Sequence, residues 1–241
     1  MERNGTGGRR HPPYTSTARS RAAVIPSAAA TRRDLRKARR AVNRRLRGRA
    51  ASAVTRHALA AGSYERARRI GLYWPIDGEL DTRPLLAQAL KAGKQVYLPG
   101  FAGCPPGQMR WRPFTPGTPL RRLRWGVTEP VAPRQAIDPG RLDLVFTPLV
   151  AFDEHGHRIG MGGGFYDRCF AFLNGPVRCP ELIGLAYHFQ QVPEIRPQPW
   201  DVPLTAVITD RGPVRIRPGR KHPIDEGDSA CSTGSVSYTH L

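Results

Sequence analysis

Between Thr31 and Val54 the apolar residues Leu35, Ala38, Val42, Leu46, Ala50 and Val54 recur at every third or fourth position. That period lines them up as one stripe along a helix. Thr31 is suited to cap this helix, and Asp34 follows as a short version of the capping box. Arg32, Arg36, Arg39 and Arg40 fall off the stripe and read as a solvated face. Farther along, short apolar runs alternate with helical spacing. Ile70 to Trp74 and Val96 to Leu98 read as strands, separated by a helix over Thr82 to Ala92 that carries Pro84 in its first turn. Met109 to Phe114 alternates like a strand near a sheet edge, and Leu144 to Phe152 is the longest apolar run. Phe165 to Leu173 reads as helix, and Leu182 to Phe189 and Thr205 to Thr209 as two more strands. Such an order predicts an α/β fold, a three-layer sandwich whose mostly parallel sheet is covered by helices on both faces. Ligands in these folds bind at the carboxyl ends of the strands, which directs attention to the loops after Trp74 and after Phe152. Residues 101–141, with eight prolines, form a long irregular stretch bordering that region.

Composition sets the limits of the domain. A chain of 241 residues with 39% hydrophobic content suits one domain, assigned to residues 31–212. Residues 1–30 are rich in Gly, Ser, Ala, Pro and Arg and hold too little apolar surface to fold, so a disordered extension is expected. A transit peptide has a similar composition, whereas a secretory signal fits poorly because Pro26 breaks the only apolar stretch. The tail from Pro213 is expected to lie outside the fold as well. The formal charge of +19 first suggests nucleic acid, but the first 63 residues carry +14 of it and the rest only +5. Four cysteines without a C-x-x-C pair indicate neither a zinc site nor a disulfide framework. A reducing compartment follows, and a cytoplasmic monomer without membrane attachment is expected.

The most unusual stretch is RIGMGGGFYDR, Arg158 to Arg168, which sets Gly160, Gly162, Gly163 and Gly164 just after the longest apolar run. Clustered glycines form a tight turn or, with their N–H groups aimed at one point, a phosphate cradle at a helix start. Arg158, Asp167 and Arg168 beside them favour the cradle. It is not a standard nucleotide loop, since it has no Gly-Lys-Ser/Thr and Phe165 stands where the dinucleotide fingerprint needs its third glycine. His155 and His157 flank Gly156 without metal spacing and read as loop residues.

With its surroundings, RIGMGGGFYDR resembles the signature of the 5-formyltetrahydrofolate cyclo-ligase family. Four other segments resemble the same family in order: TRRDLRKAR, YWPIDGELDT, RWGVTEP, and GLAYHFQ followed by PWDVPLTAVITD. Together they span about residues 31–210. The resemblance implies ATP-dependent closure of 5-formyltetrahydrofolate to 5,10-methenyltetrahydrofolate, releasing ADP and phosphate. ATP is then the co-substrate and Mg2+ the cofactor. It implies nucleotide contacts from Arg32, Arg36, Arg158, Ile159, Gly160, Met161, Gly162, Gly163, Gly164, Phe165 and Tyr166. It implies folate contacts from Trp74, Glu79, Phe165 and Tyr166, and magnesium ligands in Asp167 and Asp201. Taken alone, Trp74 and Phe165 read equally well as core, Glu79 as a loop acid and Asp167 as a cap. The chain departs from the family pattern at Arg32, where relatives have Lys, at Trp200, where His is common, and at Thr205, where a second Asp is common. No protein nucleophile is required, which agrees with a sequence lacking any Ser/His/Asp or Cys/His constellation. The partners implied are the folate and ATP, with no nucleic acid. The competing readings are a basic nucleic-acid-binding protein and a non-catalytic relative that binds nucleotide or folate.

Overall fold

The long amphipathic stretch forms two helices. In the computed structural model, which describes residues 27–124, 126–131, 135–177 and 179–217, α1 (Ala28–Ala41) and α2 (Arg44–Leu59) part at Val42 and Asn43. Asn43 begins α2 by accepting the Leu46 N–H at 2.9 Å, and Ser27 begins α1 by accepting the Ala30 N–H at 3.2 Å. The predicted cap at Thr31 is therefore corrected to Ser27, and the Thr31 N–H donates to the Ser27 carbonyl within the first turn. The break also rotates the predicted stripe. Ala50 and Val54 are buried, but Ala38 and Leu46 are exposed, and Arg39 is buried instead.

The remaining elements are α3 (Gly62–Arg66), β1 (Arg69–Gly71), α4 (Arg83–Lys91), β2 (Gln95–Gly100), β3 (Arg110–Phe114), β4 (Leu120–Arg122) and β5 (Thr128–Pro130). They continue with β6 (Leu144–Pro148), β7 (Ala151–Phe152), β8 (Arg158–Ile159), α5 (Phe165–Cys169), β9 (Glu181–Ala186), β10 (Ala206–Thr209) and β11 (Gly212–Val214). Seven strands form one sheet in the order β11-β10-β9-β6-β1-β2-β3. The five central strands are parallel, and β3 and β11 pair antiparallel at the two edges. Each edge strand holds a proline, Pro113 or Pro213, where a missing N–H is tolerated and further pairing is discouraged.

Alternation along the strands divides the core in two. Ile70, Leu72, Leu144, Phe146, Ile183, Leu185 and Ile208 meet Val54 and Ala58 of α2, Tyr64 of α3, and Leu85 and Ala89 of α4. Val145, Leu182, Ala186 and Val207 meet Trp111, Leu142 and Phe170, with α5 alongside. The first face is covered by helices. The second is covered by the five-residue α5, a 3-10 turn over Ala171–Asn174 and irregular chain.

Several predicted boundaries shift. The run Leu144 to Phe152 breaks after Pro148, which cannot donate to a ladder, and resumes as the β7–β8 hairpin. The strand expected to reach Phe189 ends at Ala186, and a 3-10 turn occupies His188–Gln190. The tail expected from Pro213 enters the fold as β11, with Val214 and Ile216 against the second core. Ala28 to Ala30 of the expected N-terminal extension are helical. Residues 1–26 and 218–241 lie outside the described residues.

Sheet order fixes where a ligand can enter. From β1 the chain adds β2 on one side and later β6 on the other, so the switch point lies between β1 and β6. The crevice beyond their carboxyl ends is bordered by the segment after Gly71 and the segment after Pro148.

Candidate active site

A cavity of about 820 Å³ opens at that switch point. Its walls include Arg32, Trp74, Glu79, Arg158 through Asp167, and Asp201. These are all of the sequence-predicted site residues except Arg36.

The segment after β1 supplies one wall. Trp74 packs against Phe114 with ring centroids 6.2 Å apart and turns its remaining surface toward the cavity. The chain then reverses through Asp77 and Gly78, both at positive φ (48° and 73°). Gly78 lies so close to α1 that a Cβ would sit 2.9 Å from the Arg39 carbonyl oxygen. This turn folds Glu79 inward, to 8% exposure. The Ile76 N–H donates to Glu79 Oε2 at 3.1 Å, and Arg39 Nη1 stands 3.9 Å from Oε1. Burial pushes the Glu79 carboxyl up to about 7, against the opposing pull of Arg39. Glu79 therefore changes charge near neutrality.

Asp77 behaves in the opposite way. Its carboxylate accepts from Arg36 Nε at 2.8 Å, Arg39 Nη2 at 3.0 Å and Arg40 Nη1 at 3.0 Å. Burial alone would raise its pKa, but these three arginines outweigh burial and hold it at about 2. Arg36 is thereby turned away from the cavity. It lines an adjoining groove of about 1010 Å³, which shares Ile76, Glu79, Thr128 and Met161 with the cavity.

The glycine loop supplies a second wall. Its aim is set by the β7–β8 hairpin, whose turn is organised by the fully buried Asp153. Asp153 Oδ1 accepts the N–H groups of His155 and His157, and Oδ2 accepts the Ile195 N–H. His155 and His157 are indeed loop residues. Beyond β8, Arg32 Nε donates to the Gly160 carbonyl at 2.8 Å, fastening α1 to the loop. Gly162 has φ +96° and is exposed in the loop. Phe165 meets Phe101 edge-on, with centroids 5.0 Å apart. The Tyr166 hydroxyl is buried without a hydrogen-bond partner among the described residues. Burial and the nearby Glu79 hold it well above the usual phenol range.

The two acids predicted as metal ligands both line this cavity. Asp167 Oδ1 pairs with Arg158 Nη2 and accepts the Val202 N–H at 3.4 Å. Arg158 Nη1 also donates to the Val202 carbonyl, which ties Asp167 to the segment carrying Asp201. Asp201 Oδ2 accepts the Gln198 N–H at 2.9 Å. Among the described residues no group of three or more His, Cys, Asp or Glu is placed to hold a metal on its own.

Sequence reasoning missed Arg39, which is 1% exposed. The available signal was its spacing: Arg32, Arg36 and Arg39 recur at i, i+4 and i+7, alongside Leu35, which packs against a small apolar cluster. Nor did sequence reasoning single out Glu129 within RWGVTEP. Glu129 is fully buried and accepts the Phe101 and Ala102 N–H groups at 2.6 and 3.0 Å, with Arg121 as its ion pair. Those bonds fix the loop that presents Phe101 to Phe165. No helix among the described residues is long and apolar enough to cross a membrane.

Comparison with known proteins gives the family. The sequence profile of the 5-formyltetrahydrofolate cyclo-ligase family matches residues 24–210. A 5-formyltetrahydrofolate cyclo-ligase of Haemophilus influenzae is 37% identical over 178 residues, covering 73% of this chain and 94% of the relative. One of Escherichia coli is 40% identical over 144 residues, covering 59% and 78%. The solved structure of Aquifex aeolicus 5,10-methenyltetrahydrofolate synthetase superposes with a TM-score of 0.68 at 27% identity, covering 83% of this chain and 99% of that one. By profile, by sequence and by fold, the chain belongs to the 5-formyltetrahydrofolate cyclo-ligase family.

Proposed function

We propose that this chain closes 5-formyltetrahydrofolate to 5,10-methenyltetrahydrofolate at the expense of ATP. The observation that carries the reading is the switch-point cavity, whose lining combines the glycine loop with Glu79 and Trp74. Phosphate and a planar, N–H-rich ring system ask for those two walls. The formyl oxygen attacks the γ-phosphorus, ADP leaves, and the formyl carbon becomes electrophilic. N10 then attacks that carbon, the C–O bond breaks, phosphate departs with the former formyl oxygen, and the N10 proton is shed. No enzyme nucleophile takes part, so the protein works by positioning and charge compensation.

In this reading Arg32 and the N–H groups from Ile159 to Gly164 receive the phosphates, with Met161 forming part of the loop, and Arg158 joins them only by giving up its pair with Asp167. Phe165 and Tyr166 close the loop side against nucleotide and folate. Arg36 joins the phosphates only by leaving Asp77, and otherwise serves to hold the α1–Asp77 contact. Magnesium fits the acid pair, because it binds few carboxylates and fills its shell with phosphate oxygens and water. Asp167 Oδ2 and the Asp201 carboxylate would hold it, and its charge would offset that developing on the phosphates.

The test is absorbance of the methenyl product from 5-formyltetrahydrofolate. Product is expected only with ATP and a divalent metal together. Product without ATP, or none under any condition, sinks the proposal.

Glu79 gives a second expected result. An ionised carboxylate accepts the N–H donors of a pterin edge, and a protonated one does so poorly. Because Glu79 titrates at about 7, the Michaelis constant for the folate rises as pH falls through that value. Glu79→Gln removes this pH dependence and raises that constant by roughly 10- to 100-fold, the range for a hydrogen bond to a charged group. A glutamine variant that keeps the wild-type profile between pH 6 and 8 removes Glu79 from the folate site.

A further inference from the structure

The guanidinium of Arg39 touches three separate segments: the Asp77–Glu79 turn, the residue after β6 and the glycine loop. Its Nε donates to the Asp77 carbonyl at 3.0 Å, and Nη2 donates to Asp77 Oδ2 at 3.0 Å. Nη1 donates to the Leu149 carbonyl at 3.2 Å, at the end of β6. Nη2 also lies 3.8 Å from Met161 Sδ in the glycine loop. Glu79 Oε1 stands 3.9 Å away. The side chain is 1% exposed, so these contacts replace its water entirely. The surrounding polar groups are few. Gln190 Nε2 shares the Leu149 carbonyl at 3.0 Å, and Arg36 and Arg40 share Asp77. Tyr73 and Tyr187 lie within its electrostatic reach, and Tyr73 and Tyr166 within that of Glu79.

We propose that Arg39 is a positioning residue that couples the two walls of the cavity, compensating the charge of Glu79 on the folate side while holding Met161 of the phosphate loop. This rests on the folate and nucleotide assignments made above. A buried guanidinium is costly unless every donor is used. Asp77 is shared with Arg36 and Arg40 and cannot neutralise it alone, and the fork also reaches the residue after β6, the glycine loop and Glu79. Only a planar group with several donors spans that set, and a lysine ammonium does not. Movement of the loop on ligand binding is therefore felt at Glu79, and the ionisation of Glu79 is felt at the loop.

The test uses the full chain, with the Glu79 carboxyl followed by carbon NMR and ligand constants by steady-state kinetics. Arg39→Met removes the nearest cation, so the Glu79 titration midpoint is expected to rise by about one pH unit. The folate Michaelis constant then rises about 5-fold at pH 7, where the ionised fraction of Glu79 falls from about one half to about one tenth, and returns toward the wild-type value at higher pH. Arg39→Lys keeps the charge and loses the fork. It is expected to hold the Glu79 midpoint near the wild-type value while raising the Michaelis constant for ATP several-fold. A general structural role would instead raise both constants equally at every pH. An unmoved Glu79 midpoint in the methionine variant, or a wild-type ATP constant in the lysine variant, overturns the proposal. The lysine result decides the question if the methionine variant fails to fold. A shifted NMR midpoint with an unshifted folate profile supports the Arg39–Glu79 link and instead overturns the folate role of Glu79.

Discussion

Gly162→Val is expected to give a protein that folds and melts cooperatively but shows no measurable MgATP binding by calorimetry. The reason lies in the backbone. Gly162 has φ +96°, a conformation side chains of the L series rarely adopt. A Cβ at this position would meet only Arg32 Cζ, at 3.9 Å, an ordinary contact. The penalty is therefore torsional, about 1–3 kcal/mol, and β-branching narrows the escape routes further. The loop relieves that strain by moving, because Met161, Gly162 and Gly163 are exposed and belong to neither large core. Local rearrangement leaves the sheet intact and lowers the melting temperature by only a few degrees. The same rearrangement turns the N–H groups away from the phosphates. Normal nucleotide affinity in this variant would falsify the assignment of the loop as phosphate cradle, and the mechanism would go with it.

How far the sequence foretold this arrangement depends on what each residue answers to. The strands β1, β2, β6, β9 and β10 were readable because central parallel strands are buried on both faces and appear as apolar runs. Their ends were less readable, since Pro148 breaks a run that stays apolar through Phe152. The hairpin strand β8 has two residues, and the edge strand β11 has three, too few to carry a period. The division between α1 and α2 escaped because a single Asn43 side chain decides it. In the site, the glycine loop announced itself by composition. Glu79 and Asp201 did not, and only resemblance to the family singled them out. Arg39 was misread because its burial depends on Asp77, thirty-eight positions away, reaching it through a turn at positive φ. A run of arginines looks the same in sequence whether its members meet water or each meets a carboxylate.

Asp167→Asn is expected to lower turnover by roughly 100-fold or more, the scale of losing one group that stabilises transition-state charge. The structure gives Asp167 two possible duties, and the variant separates them. As an anchor it neutralises Arg158, whose side chain is 6% exposed, and receives the Val202 N–H, both on Oδ1. As a metal ligand it has Oδ2, which takes part in neither of those bonds, and it lines the same cavity as Asp201. Asparagine keeps one carbonyl oxygen for the anchoring bonds and gives up the negative charge. The fold therefore persists, at a cost of about 2 kcal/mol for the weakened pair with Arg158. If the metal duty is real, the magnesium concentration for half-maximal rate rises together with the fall in turnover, and extra magnesium restores part of the rate. If only the anchor matters, the melting temperature drops while turnover at low magnesium stays near normal. In that case Asp201 is left as a single carboxylate, too little to place a magnesium ion on the phosphates, and the metal must be carried into the cavity by ATP alone.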